Sequence, residues 1–389
     1  MGYTGHEMEY ASLFKGGISD GLIPGTNITV ATETFHSHSG YKMQADERFP
    51  DVFTSFFRSH NLGYSNNNFR YQILLPENYS GGAIILLHGL NERSWNKYLQ
   101  WGIRLASDSG RPVVFFPIAY HMNRSPHSWF DRHAMMPAVA ARVSEKPAPR
   151  LSTFVNVALS TRMSLSPQRF FLSGYQTVND LAALIDTIAS GKHSLISNGG
   201  GIDIFAYSIG AMITQALMLS PGNLLPGNSR LMLFCGGSAL NKMNGTSKYI
   251  MDSIAFDRLI SFYINDLEEK KRKPFDWFTK LIYGTPVGEA YFAMSSLPRL
   301  KRQYGEPFRG SAGKLKAVSF TSDQVIPSSA VSDTLRGADV EVWSPQYPCS
   351  HENPFPVLTN GYAAMVDSTF ERLFNTAAAF FSRQPSLIG

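Results

Sequence analysis

Cysteine is nearly missing: Cys235 and Cys349 are the only two in 389 residues, and they form no Cys-x-x-Cys. That excludes a disulfide framework, and a buried structural role is expected for each thiol. Metal-ligand patterns are as thin. His36 and His38 make a His-x-His, and His121, His127 and His133 recur at six-residue spacing. Neither pattern puts ligands on one helix face, so no structural metal is expected. Charge is scarce too, at 17%, with 35 basic against 30 acidic residues and a net charge of +5. The single conspicuous basic run, LEEKKRKPF at 267–275, has acidic residues beside its lysines. It reads as a solvated helix end, not a nucleic-acid contact.

No apolar run approaches the ~18 residues that cross a bilayer, so stable membrane insertion is not expected. The start, MGYTGHEMEYASLFKGG, lacks a signal-peptide apolar core and carries acids early. Position 6, where N-myristoylation wants a small hydroxyl residue, is His6. A cytoplasmic, reducing setting is therefore the expectation. There is no internal repeat and no low-complexity tract.

What is present is core. Hydrophobic residues make up 43% and aromatics 13%, with 27 Phe and 17 Tyr, enough for a large buried interior and a surplus for a pocket or lid. Short apolar runs alternate with helical patterns. AIILLHG (83–89), RPVVFFPIAY (111–120), GIDIFAYS (201–208), RLMLFCGG (230–237), KLKAVSFTSD (314–323) and ADVEVWSP (338–345) read as strands, most of them buried on both faces. NKYLQWGIRLASDSG and SSAVSDTLRG read as helices between them. Strand and helix repeated this way predict an α/β protein, a mostly parallel sheet flanked by helices. FRYQILLPEN (69–78) reads as an antiparallel edge strand leading in. FFLSGYQTVNDLAALIDTIASG contains a helix with its start at Asn179/Asp180. Two long segments, about 121–170 and 241–313, interrupt the rhythm as caps over a ligand face do. The expected organisation is an N-terminal extension at 1–67, a core at 68–240 and 313–389, and a helical cap inserted at 241–312.

The stretch GIDIFAYSIGAMITQALML carries the chemistry. A serine at a sharp strand-to-helix turn projects from the carboxyl end of a sheet, with a helix N-terminus behind it that favours negative charge. The turn needs small residues two positions to either side, and Ala206 and Gly210 flank Ser208. The bland alternative is that Ser208 merely caps its helix. A serine hydroxyl needs a histidine to take its proton and an acid to orient the histidine; where such a serine stands at a strand-to-helix turn, the order along the chain is Ser, acid, His. Asp323 ends a strand, and His351 follows the last strand as the only histidine after Ser208. Asp323 could instead cap the next helix, with Asp333 or Asp339 as the acid. An oxyanion hole would use the backbone amides of Leu90 and Ile209. His88 fits a loop brace better than a proton carrier. Asn91, Glu92 and Arg93 either reach substrate or pin their loop to the cap. Tyr120, His121, Asn123, Arg124 and Trp129 follow a strand end, where they either contact substrate, an arginine suiting an acidic group, or serve as packing and loop anchors. Asn91, Tyr120 and Tyr207 are the candidate substrate contacts.

On LLHGLN, FAYSIGA, SDQVIP and SHENPFP, in that order, the chain resembles the α/β-hydrolase superfamily over about 68–240 and 313–387. Through HGLNERSW, GYQTVND, FAYSIG and HENPFP it looks more narrowly like a bacterial family of this fold without an assigned activity. The resemblance implies a serine hydrolase that works on a small-molecule acyl substrate with Ser208, His351 and Asp323 and no cofactor. Ester cleavage is the leading expectation. The same triad would serve a small-peptide peptidase, and the aromatic cap would permit a lipase. The alternative from another class is a non-catalytic member of the fold that binds a ligand or partner.

Overall fold

The computed structural model describes residues 2–13, 19–39, 62–222, 224–267, 277–357 and 361–382. The basic run expected at 267–275 lies, beyond Leu267, outside the described residues. Among the described residues nine strands form one sheet. They are β1 (Gly21–Leu22), β2 (Ile28–His36), β3 (Asn68–Pro76), β4 (Ala83–Leu87), β5 (Val113–Phe115), β6 (Ile202–Tyr207), β7 (Leu231–Phe234), β8 (Leu315–Phe320) and β9 (Asp339–Trp343). Their spatial order is β1-β2-β3-β5-β4-β6-β7-β8-β9. From β5 to β9 every pairing is parallel, while β1, β2 and β3 join antiparallel. This is the mostly parallel, helix-flanked α/β sheet that the hydrolase resemblance implied.

The interior strands β4, β6, β7 and β8 are buried at every residue, which is why β4 and β7 read as unbroken apolar runs; Asp203 in β6 and Lys316 in β8 are held in ion pairs with Arg111 and Asp339. Around the sheet stand α1 (Tyr3–Leu13), α2 (Asn96–Ser109), α3 (Val157–Leu165), α4 (Gln168–Ala189), α5 (Ile209–Leu219), α6 (Ser253–Ser261), α7 (Pro286–Ala293) and α8 (Ala363–Ser382). Alternate strand residues face opposite ways. Ile84 and Leu86 join a core with α1, α2 and α8, whereas Ile85 and Leu87 join one with α3 to α7.

Three expectations need correction. The strand at 69–78 is not at the edge, because β2 pairs with β3 along nine residues, from Ile28↔Pro76 to His36↔Asn68. The segment before residue 68 thus supplies β1, β2 and α1. Second, the strand expected over 111–120 stops at Phe115, two residues before Pro117, which has no N–H for a ladder. Third, α4 starts at Gln168, behind Pro167, and not at Asn179/Asp180. Asn179 turns back onto the Tyr175 carbonyl, and Asp180 is buried in an ion pair.

The two long segments pack on each other. Arg142 pairs with Asp252 at 2.8 Å, Asn156 donates to the Ser247 carbonyl, and Tyr263 donates to the Pro167 carbonyl while accepting from the Phe171 amide. No helix among the described residues is long and apolar enough to cross a membrane.

Candidate active site

β6 ends at Tyr207, and the chain reverses into α5 through Ser208 at φ 56°, ψ −120°. A side-chain-bearing residue held there is strained, and such strain concentrates at functional sites. The crowding around the turn explains its small residues. A Cβ on Gly210 would lie 2.8 Å from the Leu87 Cβ and 3.0 Å from the Leu87 carbonyl oxygen. The Ser208 hydroxyl makes no capping bond to its own helix. Instead its Oγ lies 2.7 Å from His351 Nε2.

His351 Nδ1 lies 2.8 Å from Asp323 Oδ2, and the other carboxylate oxygen accepts from the amides of Val325 and Ile326 at 2.9 and 2.8 Å. All three residues are about 4% exposed. The other acids lie elsewhere: Asp339 pairs with Lys316, and Asp333 sits within the helix Ser328–Thr334. Tyr207 is buried beneath the site, donates its hydroxyl to the His351 carbonyl and stacks on the imidazole at 5.6 Å.

The loop after β4 is pinned from several sides. His88 donates from Nδ1 to the Gly89 carbonyl and accepts at Nε2 from the Ile118 amide, so it is a brace. Burial, reinforced by His121, drives its pKa well down and keeps it neutral. The Asn91 amide donates to the carbonyls of Val155 and Tyr249, and Arg93 donates to those of Phe154 and Val155. Glu92 accepts from Tyr98 and Lys97. Asn91 and Arg93 thus tie the loop to the insertions, and Glu92 ties it to α2. Arg124 is likewise committed: fully buried, it pairs with Asp180 at 2.8 Å, donates to the Asn66 and Pro117 carbonyls, and stacks on Phe69.

Two hollows share Leu90 as a wall. One, about 720 Å³, opens past Lys97, Tyr249, Ser350 and Glu352. The other is a small apolar cavity of about 20 Å³, room for about one water. Leu90 and Ile209 line it, with Tyr120 and His121 from the first insertion and Tyr291 from the second.

Comparison with known proteins adds a family. The model of a family of unknown function, DUF6051, matches residues 10–382. The chain belongs to that family. No curated protein matches this DUF6051 chain in sequence. Among solved structures it is similar to carboxyl esterase 2 from the fungus Tuber melanosporum, at 11% identity over 94% of this chain and 90% of that one, TM-score 0.47. An esterase from the archaeon Pyrobaculum calidifontis matches at 10% identity over 97% and 90%, TM-score 0.44. A thermostable esterase from Pseudomonas putida matches at 11% over 96% and 88%, TM-score 0.43. Likenesses this distant say nothing of what the DUF6051 chain acts on.

The wall of the smaller cavity holds a residue that the sequence reading passed over. Arg162 stands in α3, VALSTRMSL, as the one charged residue of an otherwise apolar and small-polar helix, and that isolation is the signal that could have marked it. His121 on the same wall donates from Nδ1 to the Ala119 carbonyl at 2.9 Å. Burial outweighs that bond, with Arg162 and Arg124 adding to it, and pulls the His121 pKa down to about 4. Unfolded histidine takes up its proton near pH 6.5, so below that pH the unfolded chain holds a proton that folded His121 lacks. Stability present above about pH 6.5 should therefore fall by up to about 3 kcal/mol by pH 4 through this group alone. Urea unfolding at neutral pH and near pH 4 checks this, with a shallower acid loss expected in His121→Gln.

Proposed function

We propose that this protein is a serine hydrolase that cleaves carboxylic esters through an acyl-enzyme. One observation carries it: the Ser208 hydroxyl, held at a strained turn and free of its own helix, meets His351 Nε2 at 2.7 Å. His351 takes the Ser208 proton as Oγ attacks the ester carbonyl carbon. The amides of Leu90 and Ile209 receive the oxyanion. When the intermediate collapses, the C–O bond to the alcohol breaks and His351 Nε2 returns the proton to the departing oxygen. Water then enters by the same steps, losing its proton to His351, and releases the acid and Ser208. Asp323 keeps His351 in the tautomer with Nδ1–H, and Tyr207 holds the backbone that carries the imidazole. The wide hollow suits the alcohol, and the small cavity suits the acyl group. Tyr120 belongs to the acyl wall; Asn91 and Tyr207 position the site.

Labelling with a fluorophosphonate probe tests this. Wild type should label, and Ser208→Ala and His351→Ala should not, with all three folded by circular dichroism. Folded wild type that neither labels nor turns over a p-nitrophenyl ester would leave the ligand-binding alternative in its place.

A further inference from the structure

Two arginines of this protein are nearly fully buried near the same strand end, and they differ in one respect. Arg124 has its carboxylate in Asp180. Arg162, 4% exposed, has none: among the described residues no carboxylate pairs with it and no oxygen accepts from it. Its guanidinium is held only between rings, 4.4 Å from the Trp129 centroid and 5.2 Å from that of Tyr120. It lines the small cavity together with Ile209, the residue that follows the nucleophile, and with Leu90. Arg169 adds a second cation to that wall. Burial, and then the charge of Arg169, pulls the Arg162 pKa down to about 9, so it stays protonated at neutral pH.

A buried cation without a counter-ion is costly, and a protein keeps one where a ligand completes it. A second buried polar atom on this wall also lacks a partner: Nε2 of His121, neutral and able only to accept. His121 supplies no charge, which leaves the anion to Arg162. Aromatic faces fix the plane of the guanidinium, and a planar fork matches the two oxygens of a carboxylate. Met163 and Leu159, on the same wall, are the flexible apolar side chains that must give way, since the cavity now holds little more than one water.

We propose that the acyl group this enzyme accepts is short and ends in a carboxylate, which Arg162 binds in the cavity beside Ser208. This rests on the hydrolase reading for the chemistry, but not for the binding. The carboxylate takes no part in bond making: the ester bond breaks as above, and a dicarboxylic acid leaves.

Three measurements on the full chain test it. For turnover, the p-nitrophenyl half-ester of succinic acid is compared with p-nitrophenyl butyrate, its uncharged counterpart. Wild type should favour the half-ester in kcat/KM, and Arg162→Met should lower that preference about 100-fold, mostly through KM, with Arg162→Lys between. For binding, calorimetry with succinate should give heat with wild type and none with Arg162→Met. For stability, Arg162→Met should melt no lower than wild type, because it removes an unpaired buried charge.

A lowered melting temperature with an unchanged preference and no succinate binding would make Arg162 a packing element and overturn the proposal. If butyrate is turned over with no preference for the half-ester, the inference fails and the hydrolase reading stands. If no ester is turned over yet succinate binds through Arg162, the hydrolase reading fails and the carboxylate site stands.

Discussion

Replacing Asp323 by asparagine should lower ester turnover about ten-thousand-fold while leaving the fold intact. The size follows from the hydrogen bonds of the carboxylate. One oxygen accepts from two backbone amides, Val325 and Ile326, so an asparagine must keep its carbonyl there. Its NH2 then faces His351 Nδ1, where Oδ2 now sits at 2.8 Å. Two donors cannot face each other. His351 would give up Nδ1–H, carry its proton on Nε2, and point an N–H at Ser208 where a base is needed. Steady-state kinetics with a p-nitrophenyl ester measures the loss, and circular dichroism the fold. Equal turnover by wild type and Asp323→Asn would exclude this aspartate from the chemistry.

Asp180→Ala should be strongly destabilising, costing about 3–5 kcal/mol in urea unfolding. It strips Arg124, with no exposed surface, of its only carboxylate. It also removes the acceptor of Ser37 and Ser39, which tie the strand β2 side of the sheet to α4. Arg124→Met combined with Asp180→Ala should recover part of the loss, since no orphaned charge remains. A loss below about 1 kcal/mol in the single variant would mean that water reaches the pair and replaces the carboxylate.

The contrast between Arg124 and Arg162 marks the boundary of what a sequence can say. Both lie in segments of mixed composition, and the linear pattern leaves Arg124, after a strand end, open as either a loop anchor or a contact to an acidic substrate group. Its partner sits 56 positions away on α4, at a residue whose local pattern resembled a helix start. Only the packing of α4 against the loop after β5 made Arg124 a paired anchor and left Arg162 unpaired.

Other features were legible for local reasons. β4, β6, β7 and β8 are covered on both faces, so their residues are mostly apolar, continuously so in β4 and β7. The turn at Ser208 was legible because its small neighbours are dictated by backbones a few ångströms away, and Gly210 has no room for a Cβ. The meeting of Asp323 and His351 was legible because strand ends are marked by turn residues and the hydrolase resemblance implies the order Ser, acid, His. β2 escaped notice because an outer strand with one wet face, ITVATETFH, mixes Thr and Glu into its pattern. By itself, then, the sequence determined the alternation of strands and helices, the strained turn, and the residues that end the central strands. Those follow from burial and sterics between near neighbours. The tertiary structure decided which charges are paired, which loop side chains are anchors, and where a cavity beside Ile209 meets an unpaired cation. Those depend on which distant segments the two insertions bring together.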